Sequence, residues 1–270
     1  MIRRAFIALC LSYIFMGYAF KIKLSQGRIK EIGNKIWRNE CAGTQEGLTH
    51  WGDEDFASLG IGHWTWFPQK RSDRFVEGFP LLIDFYIKRK QAIPAWLLTE
   101  DKKLIPCPWN TREEFLADFQ GDRMRELRSF LYETVSVQCL CLIERLKDWV
   151  RHKRLQEYDH KRRTALMRQF HKLVSTPHGV YVAIDYINFK GEGLDAPEEY
   201  SGQKWGFVQV LEAMPKTTTV TTVLNEFAAA AKQVLTLRVK NAFPERDESQ
   251  WLPGWYKRID TYVPNLASVS

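Results

Sequence analysis

Residues 36–63 read IWRNECAGTQEGLTHWGDEDFASLGIGH, and the fold turns on how that stretch is read. Leading into it, Ile29, Ile32, Ile36 and Trp37 recur at helical spacing, so residues 26–39 form a short amphipathic helix that delivers Glu40 at its end. Gly43, Gly47 and Gly52 then break the helix. Residues 48–65 are rich in aromatics and Thr and punctuated by Gly, which predicts a small two- or three-stranded sheet ended by Pro68. The stretch therefore couples a glutamate at a helix terminus to a hairpin bearing Asp53, Glu54 and Asp55.

Working outward, the patterns beyond Phe75 are almost wholly helical: 79–90, 111–119, and 123 to about 173 with at most one break. Thr111 followed by Glu114 fits a capping box at the start of the second of these. The segment VYVAIDYINFK, 180–190, is apolar enough to be helix or strand, and Gly191-Glu192-Gly193 ends it. Residues 205–214 and 224–239 read as helices, 217–222 as a Thr-rich loop, and WLPGWYKRIDTYV, 251–263, closes the chain. The sum is an α+β, mainly helical fold with a hairpin lobe near residues 44–67 and a larger helical lobe. With 270 residues, 45% of them apolar, the chain can bury a sizeable core.

At the start, Arg3 and Arg4 precede an uncharged run, 5–20, that ends in Gly17-Tyr18-Ala19. That run falls short of the ~20 apolar residues of a comfortable membrane span, so 1–19 reads as a secretory signal, with an uncleaved anchor as the other reading. The expected location is periplasmic or secreted, with membrane contact only through that segment. Cys41, Cys107, Cys139 and Cys141 are then even in number in an oxidising compartment, and one or two disulfides are open to them. Cys139 and Cys141, two apart on a helix, point to different faces and read as buried thiols.

The net charge of +7 favours an anionic partner. Residues 144–172 hold ten Lys or Arg against four acids and read as a solvated helical face; a nucleic-acid stripe through Arg162 and Arg163 is the rival. No phosphate-binding glycine loop, dinucleotide glycine motif, paired-His zinc helix or nucleophile elbow is present, so no cofactor and no metal is expected.

Cleaving a glycosidic bond needs a carboxylic acid to protonate the leaving oxygen and a second group to position water or attack the sugar. Glu40, flanked by Trp37 and Cys41, suits the first role if desolvation raises its pKa. Strand alternation over 54–58 would put Glu54, Phe56 and Ser58 on one face and turn Asp53 and Asp55 away. Ser58 would hold the attacking water. Trp51, Trp64 and Trp66 lie near enough to stack on sugars, although most Trp are core residues first. His63 more simply braces the hairpin.

The run Ser58-Leu59-Gly60-Ile61-Gly62-His63, with Glu40 eighteen residues before Ser58, resembles the catalytic segment of phage-type lysozymes, the endolysins that cut peptidoglycan glycan. AIDYINFKGEG, 183–193, is similar to their later helix and Gly-Glu turn, and YKRIDTY, 256–262, to their closing helix. The resemblance spans residues 33–262 with a helical insertion at about 69–176. It departs from the family at Ser58, where the family has Thr, and at Gly52, where it has Asp; Asp53 is the nearest match in spacing.

The resemblance implies a single lysozyme-like domain over 20–270 that hydrolyses the glycan strands of peptidoglycan. Glu40 would be the acid, with Glu54 or Asp53 and Ser58 positioning water, and with Trp51, Trp64, His63 and Glu192 contacting substrate. A second resemblance, of Glu192 with Trp205-Gly206-Phe207-Val208-Gln209 to lytic transglycosylases, would make Glu192 the single acid/base. A non-catalytic wall-binding protein is the remaining alternative.

Overall fold

A computed structural model describes residues 22–69, 71, 76–194 and 199–264; the apolar run at 5–20 lies outside them. The described residues are 60% helix with one small antiparallel sheet, an α+β, mainly helical fold.

Helix α1 (Gln26–Cys41) starts where the Ser25 hydroxyl accepts from Arg28 N at 3.2 Å and buries Ile29, Ile32 and Ile36. It ends at Ala42 and Gly43, both at positive φ. Strands β1 (Thr49–Trp51), β2 (Ala57–Leu59) and β3 (Trp64–Trp66) follow in sheet order β1-β2-β3, with His50 opposite Ser58 and Ser58 opposite Thr65. Alternation buries Trp51, Ala57, Leu59, Trp64 and Trp66 and leaves His50, Ser58 and Thr65 on the outer face. Behind the sheet, Trp66 packs on Phe79 of α2 (Phe79–Lys88) at 4.8 Å between centroids, and Trp51 on Phe115 of α3 (Arg112–Ala117) at 5.6 Å. Thr111 caps α3 as expected, but Glu114 reaches back to Asn110 N, at 2.7 Å, rather than to the cap residue.

The long basic stretch is not one helix broken once. It divides into α4 (Asp122–Glu133), α5 (Val135–Trp149), α6 (Lys153–Glu157) and α7 (His160–Val174). Thr134 turns its hydroxyl back to Phe130 O at 2.6 Å, and His152 and Asp159 cap the two helices that follow them. This segment does not merely decorate the fold: α5 lies against α1, where a Cβ on Gly33 would come 3.0 Å from Val135 Cγ1. Arg162 is tied to Glu212, and Arg163 to Gln156, on the solvated side.

The undecided segment is helix α8 (Pro177–Lys190), capped by Thr176 and ended by Gly191 at φ 79°. Residues 179–186 are all buried, so α8 runs through the core and carries no polar face, which is why its periodicity was unreadable. Around it lie α9 (Phe207–Ala213), α10 (Val223–Asn241) and α11 (Leu252–Asp260). All four described cysteines are free and buried, so the disulfides open to them do not form here. Burial pushes Cys41, Cys107 and Cys139 up to about 12. Among the described residues no helix is long and apolar enough to cross a membrane, and no cluster of His, Cys, Asp or Glu could hold a metal.

Candidate functional site

The end of α1, the loop between β2 and β3, the last turn of α8 and helix α11 meet around Glu40. Its side chain is 7% exposed and faces protein, not bulk solvent. Oε1 accepts from Asn188 Nδ2 at 2.7 Å and is paired with Arg258, and Oε2 lies 3.6 Å from His63 Nε2. Burial pushes the carboxyl up, but Arg258 above all, with His63 and Asn188, outweighs it and holds Glu40 below the usual carboxylate range. The expectation that desolvation leaves Glu40 a ready proton donor is thus overturned: its resting form is the carboxylate.

Arg258 is shared. Its Nε and Nη2 donate to Asp185 at 2.9 and 3.0 Å. Asp185, fully buried on α8, also accepts from Tyr262 Oη at 2.7 Å and Asn39 Nδ2 at 3.1 Å. Arg258 lies 4.2 Å over the ring of Phe189, and Lys190 lies over the same ring and, at 3.5 Å, over Trp255. Burial, with Arg238 close by, lowers Lys190 to about 6. Asp185, Asn188, Arg258 and Tyr262 lie in residues 183–193 and 256–262, where the sequence pattern alone assigns none of them a role. The available signal was Asp185, one acid in an apolar run, which a buried helix retains only when paired.

The Gly-Ile-Gly-His loop is pinned by Gln138 of α5, wholly buried, whose Oε1 accepts from Ile61 N at 2.9 Å. Gly60, at φ 65°, has no room for a Cβ, which would meet that Oε1 at 2.2 Å; one on Gly62 would meet the Trp64 ring at 2.5 Å. The glycines admit neighbouring side chains, and the conformation follows from packing.

The three acids lie in the β1–β2 turn. Gly52 N donates to Phe56 O and Asp55 N to Gly52 O, and β2 begins only at Ala57, so the alternation invoked for 54–58 does not reach Glu54. All three are exposed. Asp55 accepts from Trp51 Nε1 at 3.5 Å, and Asp53 acts electrostatically on His50. Glu54 lines a cleft of about 540 Å³ with Phe56, His63, Trp64, Arg145 and Asn188. His63 and Asn188 are the two of these that contact Glu40. Ser58 is half-buried on the outer face, between His50 and Thr65.

Trp51, 3% exposed, is a core residue with no face for a ligand, a correction of its expected place on the substrate. Trp66 is likewise core, and Trp64 lines the cleft while only 2% exposed. Glu192 and Gln209 serve the fold as well: the Glu192 carbonyl accepts from Val208 N, and Gln209 Nε2 donates to Gly193 O at 3.2 Å. Compared with protein-family models, curated proteins and solved structures, the chain matches none.

Proposed function

We propose that this chain hydrolyses the glycan strands of peptidoglycan in the cleft between the hairpin and α8. The observation that carries the reading is a buried glutamate, Glu40, touching two residues of a cleft that also bears the exposed carboxylate Glu54. To act as the acid, Glu40 must take a proton from solvent before the glycan fills the cleft, against its pair with Arg258. Glu40 then gives its proton to the leaving glycosidic oxygen. Glu54 takes a proton from a water in the cleft, and the resulting hydroxide bonds to the sugar carbon as its bond to the leaving oxygen breaks; Ser58, which does not line the cleft, takes no part. The net charge of +7 draws the enzyme to an anionic wall.

Glu40→Gln is expected to abolish release of reducing ends from purified sacculi while the protein remains folded by circular dichroism, and retained lysis overturns the assignment. Mass spectrometry of the digest separates the routes. Reducing muramic ends mark hydrolysis, anhydro ends the transglycosylase route through Glu192, and intact glycan neither.

The second reading, a wall-binding protein without lysis, is favoured by the Arg258 pair that keeps Glu40 ionised. It predicts that wild type sediments with sacculi and leaves them intact.

A further inference from the structure

A second cavity, of about 500 Å³, opens between α9, α10, the start of α7 and residues 200–205, and shares no lining residue with the Glu40 cleft. Its two arginines are already matched. Arg162 donates to both oxygens of Glu212, at 2.6 and 3.2 Å, and Arg238 to both oxygens of Glu248, at 2.6 and 2.7 Å. Lys204 Nζ is bonded to Leu194 O at 3.0 Å. An anion entering here would find both arginines engaged and, among the described lining residues, only Lys204 without a carboxylate partner.

The other polar groups of the wall are uncharged. Asn241 Nδ2 donates to Gln203 Oε1 at 2.9 Å, which leaves Asn241 Oδ1 as an acceptor and Gln203 Nε2 as a donor on the wall. The Tyr158 ring is covered on one side by Arg162, at 3.8 Å, and its hydroxyl makes no hydrogen bond among the described residues. The wall is partly apolar: Leu237 is 40% exposed, and the rings of Tyr158, Tyr200 and Trp205 line it. A donor and an acceptor amide on one wall suit sugar hydroxyls, and the half-buried ring of Tyr158 suits the C–H face of a sugar.

We infer that this cavity is a binding site for an uncharged saccharide of one or two rings, independent of the Glu40 cleft and of whether that cleft is catalytic. The probes are N,N′-diacetylchitobiose, cellobiose and inorganic phosphate, titrated into the full chain while the side-chain amide signals of Gln203 and Asn241 are followed by NMR. Either disaccharide should shift these signals at millimolar concentration, and Asn241→Leu should weaken that binding about tenfold without lowering Tm. The variant Gln203→Ala provides a second check should Asn241→Leu fold poorly. The proposal is overturned if neither sugar moves these signals, if phosphate moves them instead, if shifts are confined to Gly60–His63, or if neither variant weakens binding. Because Glu40→Gln leaves every wall residue in place, loss or retention of lysis in that variant does not bear on this site.

Discussion

In the hairpin the ladder bonds all join residues between Thr49 and Trp66, whereas around Asp185 the partners stand 73, 77 and 146 residues away, and Arg258 reaches Glu40 across 218. The hairpin presents its acids to water on a turn. The Asp185 cluster buries two carboxylates and one guanidinium among aromatic rings. Charges on a solvated turn interact through a high dielectric and are worth little to the fold; buried ones are costly alone and stable only as a set. The same residue types therefore face water in one region and hold the architecture in the other, and Glu40 stands where the two meet.

Arg258→Met should break this comparison most. It leaves Glu40 and Asp185 buried without their cation, and a loss of about 3–5 kcal/mol in urea unfolding is expected. The acid side sharpens the test. Glu40 titrates lower in the folded chain than its ordinary 4.5, so it contributes stability above that pH which is lost as pH falls through the folded value. That loss below pH 4.5 should be smaller in the Arg258→Met protein.

Tyr262→Phe removes one donor to Asp185 and keeps the ring, so about 1.5–3 kcal/mol should be lost at unchanged m-value. Lys190→Met should act in the opposite direction, a gain of about 1–3 kcal/mol near neutral pH, because it relieves a buried amine of its desolvation. Lys190 is lowered from 10.5 to about 6 on folding, so between those values the unfolded chain holds the extra proton and wild-type stability rises with pH. The variant should lack that rise in a pH series of thermal melts. Smallest of all, Asp53→Asn with Glu54→Gln should move unfolding by no more than about 0.5 kcal/mol, since both acids are exposed on the turn. A larger change would mean that the turn is part of the fold's support.

Much of the fold was legible because it is local. Helix α1 with its apolar stripe, the Gly-punctuated sheet and the Thr111 cap each follow from neighbours within a few positions. The breaks at Thr134 and Tyr158 were not legible, because helical propensity runs through them and only side chains bonding back to the backbone interrupt it. Of the candidate site, Glu40 and the turn acids could be named, but not which acid faces the cleft. That depends on where the turn ends and β2 begins, a single residue that reverses every side chain after it.

From the chain alone, then, came a mixed, mainly helical fold, a glutamate at the end of α1 and an acidic turn before a Gly-Ile-Gly-His loop. Periodicity and turn chemistry act over a few residues and are written in consecutive positions. Tertiary structure alone decided the ionisation of Glu40, the burial of Trp51, the pinning of the loop by Gln138 and the pairing of Arg258 with Asp185. Each of these depends on a partner brought from a distant part of the chain, and on water excluded once both are in place, so no window of sequence contains the cause.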